Sequence, residues 1–370
     1  MLFLILSASV IILHTFTSCG NNSKTTQDMN TIQLTEEWDK TFPLSDKVNH
    51  QKVTFKNQYG ITLAADLYLP KGKTSEKRAA IAVSGPFGAV KEQCSGLYAQ
   101  SMAERGYITL AFDPSFTGES SGEPRRTASP DINTEDFFAA VDYLSMREDV
   151  DPSRVGIIGI CGWGGIALNV AAQDPRIKAT ASITMYDMSR VGGNGYFDSA
   201  DSEEARHAAR KAWAEVRMAD LKADSFAMAG GVVDPLPEDA PHFLKDYHNY
   251  YKTPRGYHPR SGNSNDGWRM TGTQAYSNTR FLYYINEIRS AVLVVHGEKA
   301  HSLYFGQNAY AYMTQGKAEG YDTQRLPNPV PENKEFLIIP GASHTDLYDG
   351  GKDKVIPWER LDDFFQTNLK

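Results

Sequence analysis

An α/β fold with a mostly parallel central sheet is what this sequence predicts, on three observations. Short, almost continuous apolar runs recur along it, the pattern of strands buried on both faces. Segments with helical spacing separate those runs. An alternating apolar–polar hairpin stands ahead of the series, and one irregular stretch interrupts it late in the chain.

From the N-terminus, Leu2 to Leu13 is almost wholly apolar and too short to span a bilayer. It fits the apolar region of an export signal. The segment Phe16-Thr17-Ser18-Cys19-Gly20 resembles a bacterial lipoprotein box, whose Cys carries the lipid. Residues 1–19 are therefore expected as a lipoprotein-type signal, 20–45 as a tether, and the protein as exported and membrane-anchored through Cys19. His50 to Lys56 and Ile61 to Leu69 alternate around Asn57-Gln58-Tyr59-Gly60 and read as a β-hairpin. Ala79 to Ser84, Tyr107 to Phe112, Val155 to Ile160 and Ala179 to Met185 are the buried runs. Helices are expected around Gly96 to Arg105, Thr134 to Ser145 and Gly162 to Gln173.

From Asp187 to Glu287 the rhythm breaks. Ser202 to Asp224 is Ala- and charge-rich with helical spacing, and Tyr247 to Asn278 has no clear period. This stretch, 187–287, is expected as a mostly helical cap over the sheet edge. The rhythm resumes with Ala291 to Val295, a helix from about Ser302, the strand Glu335 to Ile339 and a helix from about Lys354, so the core is 46–186 plus 288–370. The composition, 41% hydrophobic and 22% charged, is that of an ordinary globular protein. With a net charge of −7 and no Lys/Arg-rich run, nucleic acid is not an expected partner.

The chemistry centres on Gly156-Ile157-Ile158-Gly159-Ile160-Cys161-Gly162-Trp163-Gly164-Gly165. A buried strand runs straight into small residues and a helix, and such a turn pushes its central side chain out of the sheet. Cys161 stands there as a candidate nucleophile at a helix N-terminus, where the dipole is expected to lower a thiol pKa. A Cys elsewhere is more often a small buried hydrophobe, which is how Cys94 reads. Of nine His residues, His344 is best placed as the base, in the loop Ile339-Pro340-Gly341-Ala342-Ser343-His344-Thr345-Asp346-Leu347-Tyr348 after the last strand. No two His have metalloprotease spacing with a carboxylate partner, so neither metal nor cofactor is expected.

These pieces resemble the α/β-hydrolase superfamily, on the branch related to dienelactone hydrolases and bacterial acetyl-esterase-like or peptidase-like hydrolases. The resemblance covers about Val53 to Lys370. It includes Gly85-Pro86-Phe87-Gly88-Ala89-Val90-Lys91-Glu92-Gln93, Asp113 through Gly118-Glu119-Ser120, Gly159-x-Cys161 and Gly341-Ala342-x-His344. It implies that the N–H groups of Phe87 and Gly162 form an oxyanion hole. It also implies that Asp113, Gly118 and Ser120 close a structural loop.

Two positions depart from the pattern. Trp163 stands where the elbow usually has Gly, either narrowing the acyl pocket or packing as core. The family's acid position, four residues after His296, is Ala300. Glu298 on the same loop is then the first candidate acid and Asp187 the second. The expected activity is hydrolysis of an ester, lactone or thioester through a Cys–His mechanism, with a small molecule as substrate and Tyr250, Tyr251, Tyr257, Trp268 and Tyr276 as a possible aromatic wall. The competing expectation is a non-catalytic binding lipoprotein on the same scaffold.

Overall fold

The fold is described from a computed structural model, which covers residues 32–72, 76–316 and 332–370. The expected lipidation site Cys19 and the signal segment lie outside these residues. Among them, no helix is long and apolar enough to cross a membrane.

The chain builds one eight-stranded sheet in the order β1-β2-β4-β3-β5-β6-β7-β8. The hairpin strands β1 (Val48–Lys56) and β2 (Thr62–Pro70) pair antiparallel, and β2 also runs antiparallel to β4 (Ile108–Phe112). All other pairings are parallel: β3 (Arg78–Ser84), β5 (Val150–Ile160), β6 (Ile177–Ile183), β7 (Ala291–Gly297) and β8 (Lys334–Ile339). The continuous apolar runs are the central strands, and β3, β4 and β7 bury almost every residue because helices cover both faces. Helices α1 (Cys94–Ala103), α2 (Pro130–Ser145) and α3 (Gly162–Ala171) connect them.

The cap begins with α4 (Met188–Asn194) and α5 (Glu203–Ala223), followed by α6 (His242–Tyr251). Residues 252–290 are turns and short 3-10 segments, so the insertion is less helical than expected. The sequence showed no period where α6 ends, because its last residues, Tyr250 and Tyr251, are polar-tipped yet fully buried. The cap does not sit at the sheet edge. Its Asn263 donates to the Phe87 carbonyl at 2.7 Å, Asp246 accepts from Thr345, and Tyr276 donates to Asn133 at 3.0 Å. These partners follow strand carboxyl ends, so the cap covers that end of the sheet. The chain closes through α7 (Leu303–Gln315), α8 (Asp346–Asp349) and α9 (Trp358–Asn368).

The tether expectation needs correction from residue 32 onward. Phe42 is buried against the core, Thr35 N donates to Glu119 at 2.7 Å, and Lys40 pairs with Asp66 at 2.7 Å. A segment so anchored is part of the folded body.

Candidate active site

The turn between β5 and α3 holds Cys161 at φ 59°, ψ −126°, a backbone state that side chains rarely adopt. Such strain persists only where the surroundings over-determine it. Here Cys161 N donates to Ile183 O, while Gly164 N and Tyr186 N both donate to Cys161 O. Gly159 is required by close approach, since a Cβ there would meet the Trp163 carbonyl oxygen. The helix rises so tightly from the strand that Trp163 turns beneath it. Its ring meets Phe112 and Phe137 edge-on at 5.5 and 5.4 Å. Trp163 is therefore core, and the alternative that it narrows an acyl pocket is corrected.

Three donors face the sulfur: the Tyr348 hydroxyl and the N–H groups of Phe87 and Gly162. The two amides are the pair expected as an oxyanion hole. Burial nevertheless outweighs all three and pushes the thiol above its ordinary range. The expected lowering by the helix terminus is thus reversed. No ionised side chain stands among the groups acting on Cys161. Around it lie Tyr186, Tyr247, Tyr251 and Tyr348, whose phenols burial raises and a thiolate would raise further. Of the expected aromatic wall, Tyr251 belongs to this shell. Trp268 packs on Phe87 at 4.7 Å, Tyr250 and Tyr276 are buried as packing, and Tyr257 is exposed.

His344 is fully buried in the loop after β8. A reciprocal Ser343–Asp346 pair fixes that loop: Ser343 N donates to the Asp346 carboxylate at 2.9 Å, and Asp346 N to Ser343 Oγ at 3.3 Å. From α6, Asp246 takes hydrogen bonds from Ser343 Oγ at 2.9 Å and Thr345 N at 3.1 Å. His344 Nε2 meets the Tyr348 hydroxyl at 3.0 Å. Its Nδ1 meets two hydroxyls, Ser302 at 2.7 Å and Thr184 at 2.9 Å. Burial first, then His301 and His296, hold its pKa well below the ordinary imidazole range.

Neither candidate acid reaches His344. Glu298 is exposed and accepts from Gly341 N at 2.7 Å. Asp187 caps α4, accepting from Ser189 N at 2.9 Å and Arg190 N at 3.0 Å. Both are corrected as partners of the imidazole. Ser302, two residues past Ala300, takes up the position instead, together with Thr184 at the end of β6. Sequence reasoning missed Ser302, Thr184 and Tyr348. Only Tyr348 carried a signal, its place four residues past His344 in the same loop.

The loop that presents Phe87 rests on buried ions. Lys91 Nζ contacts Glu92 at 2.6 Å, Asp113 at 2.9 Å and Glu119 at 2.6 Å. These three carboxylates come within 4.8 Å of one another, as in a cation site, and the ammonium fills it. Lys91 N also donates to Asp113 at 2.8 Å. Gly118, at φ 53°, passes so close to the Asp113 carboxylate that a Cβ would collide with it. Ser120 Oγ donates to Asp113 O at 2.7 Å. Asp113, Gly118 and Ser120 thus close the loop beside the elbow.

The sheet order, the strained turn after β5 and the buried histidine after β8 define the α/β-hydrolase fold. The family described as X-Pro dipeptidyl-peptidase (S15 family) matches residues 59–322, and the chain belongs to it. It is 52% identical to an uncharacterized protein of Pseudomonas aeruginosa, PA2218, over 91% of this chain and 86% of that one. The crystal structure of PA2218 superposes with a TM-score of 0.83, covering 91% of this chain and 99% of that chain. YcjY of Escherichia coli, also uncharacterized, is 33% identical over 86% of this chain and 99% of that protein. A shorter match, 30% identical over 38% of this chain and 42% of the other, is to the thiohydrolase aneE of Aspergillus aculeatus. The structure of DcsB in complex with its substrate analogue shares the fold at a TM-score of 0.67 and 19% identity, covering 87% of this chain and 99% of that one. The protein is a hydrolase of this fold.

Proposed function

We propose that the protein hydrolyses an uncharged acyl ester, lactone or thioester through a covalent thioester on Cys161. The observation that carries this reading is a thiol at a strained strand–helix apex, faced by the N–H groups of Phe87 and Gly162 and by Tyr348, whose hydroxyl meets the buried imidazole of His344 at 3.0 Å. The sulfur attacks the carbonyl, the N–H groups of Phe87 and Gly162 hold the developing oxyanion, and His344 takes up the thiol proton. Returning that proton to the leaving group completes acylation, and water repeats the cycle.

The neutral surroundings support an uncharged acyl group. A charged one would be desolvated here without a partner, at a cost of several kcal/mol. The thiohydrolase relative supports including thioesters in the substrate range.

The apolar Leu2 to Leu13 and the lipoprotein-like segment ending at Cys19 support export and lipid anchoring. Incorporation of radiolabelled palmitate in cells, absent in Cys19→Ala, tests that part. For the chemistry, the protein is mixed with p-nitrophenyl acetate or S-phenyl thioacetate and its intact mass followed. An acetyl adduct on wild type and none on Cys161→Ala is expected. Turnover that survives Cys161→Ala would sink the reading. Neither adduct nor turnover with either probe would leave a binding protein on a hydrolase scaffold.

A further inference from the structure

The loop that offers the Phe87 amide is held on two sides. Lys91 and its carboxylates fix it to the core, and the cap grips it at the turn itself. Pro86 to Ala89 form a type II β-turn: Ala89 N donates to Pro86 O at 2.9 Å, and Gly88 stands at φ 85°, the state that turn requires at its third position. Asn263 Nδ2 donates to Phe87 O at 2.7 Å, Asn263 N to Gly88 O at 3.1 Å, and Ser261 Oγ to the same Gly88 carbonyl at 3.2 Å. We propose that Asn263 of the cap is a positioning residue for the oxyanion hole, which cap and core thereby assemble together; this rests on the nucleophile reading above.

The central peptide of a β-turn can flip, taking type II to type I, in which the third residue has a negative φ. Gly88 is free to make that change, since Gly populates both signs of φ. The Phe87 carbonyl belongs to that peptide, so a hydrogen bond on it decides which form persists. The preceding peptide carries the Phe87 N–H, and its own carbonyl is taken by Ala89 N. With a peptide anchored on either side, both torsions of Phe87 are set. The turn also sits directly on the elbow, where a Cβ at Gly162 would come within 2.8 Å of Phe87 Cβ. Rotation about Phe87 therefore moves its N–H against the Cys161 apex.

The grip is built rather than incidental. A Cβ at Gly88 would collide with the Asn263 carboxamide, so the glycine also clears the space that this side chain fills. The Phe87 ring packs on Trp268 at 4.7 Å and edge-on to Tyr276 at 5.6 Å, both from the cap. Around Asn263 the cap loop is tied to itself. Asn265 Nδ2 donates to Ser261 O at 2.8 Å and to Pro259 O at 3.0 Å, and Lys252 Nζ donates to Ser264 O at 2.7 Å. Arg260 of the same loop pairs with Glu92 at 2.9 Å, so the cap loop reaches the buried ions as well.

The test compares two reactions at one sulfur in the full chain. Acylation by p-nitrophenyl acetate, read as the burst of p-nitrophenolate, develops an oxyanion. Alkylation by iodoacetamide at about pH 9, read by intact mass, needs the thiolate but no oxyanion hole. Asn263→Ala should acylate roughly 10- to 100-fold more slowly, the scale of a misplaced catalytic group, and alkylate within about twofold of wild type. Gly88→Ala, which keeps Asn263 but drives a methyl into its carboxamide, should show the same split, and either variant decides the question alone. A merely structural role would slow both reactions together. Acylation of either variant within about threefold of wild type, or equal losses in the two reactions, overturns the assignment while leaving the nucleophile in place. A burst that persists in Cys161→Ala removes the nucleophile reading and the positioning role with it.

Discussion

Two buried polar regions flank the same loop, Gly85 to Gln93, and they are built on opposite principles. On one side Lys91, Glu92, Asp113 and Glu119 form an ionic lattice, extended by Lys52 to Glu119 at 2.7 Å and by Arg260 to Asp39 and Glu92 at 2.8 and 2.9 Å. On the other side Tyr348, His344, Ser302 and Thr184 are joined by neutral hydrogen bonds beside Cys161. The difference teaches where each kind of contact serves. Buried charges bound on several sides hold a backbone in place, because losing one partner strands the others. A reacting centre gains from groups whose charge appears only in the transition state.

The largest effect should come from breaking the lattice. Lys91→Met leaves three carboxylates facing one another and should lower stability by about 3–5 kcal/mol, read from urea denaturation. The Glu119 corner of the lattice should resist acid, whereas burial raises the Asp113 carboxyl. The Lys91 and Lys52 ammonium groups outweigh burial and hold the Glu119 carboxyl down to about 2. Its folded pKa lies below the unfolded one, so its contribution is full above about 4.5 and is lost as pH falls toward about 2.

The next test makes the neutral site ionic. Ser302→Asp places a carboxylate on His344 Nδ1 and should raise the imidazole pKa. Iodoacetamide alkylation of Cys161 near neutral pH should then speed up by roughly tenfold or more. In wild type the same reaction should stay slow below pH of about 9, because burial raises the thiol. An unchanged rate in Ser302→Asp would show that the hydroxyl does not govern the imidazole.

A smaller signal lies in the pH profile. His344 protonates only well below 6.5, so the neutral base survives as pH falls, and kcat/KM should stay flat from about pH 8 to 5. A limb near pH 6.5 would mean that the imidazole is solvated in turnover. Smallest of all, Glu298→Gln should change acylation less than about twofold, since its carboxylate serves only the Gly341 amide. A hundredfold loss would restore Glu298 as the acid.

The sequence by itself determined the sheet and the elbow. Continuous apolar runs can be satisfied only by strands covered on both faces, and a Gly-flanked Cys after such a run admits little but a strand–helix turn. The histidine loop was legible for a related reason, since it follows the last strand in chain order. The tertiary structure decided what surrounds these residues. Whether the Cys161 thiol sits high or low depends on how much water the cap and the tyrosines exclude, and a helix dipole read from sequence says nothing of that burial. Which group meets Nδ1 depends on Ser302 from the loop after β7 and Thr184 just after β6, 118 positions apart in the chain and joined only at the carboxyl ends of neighbouring strands. Tyr348 became a partner of the His344 imidazole only once the turn after His344 folded. Local spacing specifies elements, whereas burial and long-range hydrogen bonds, which set the chemistry, exist only when the elements are packed.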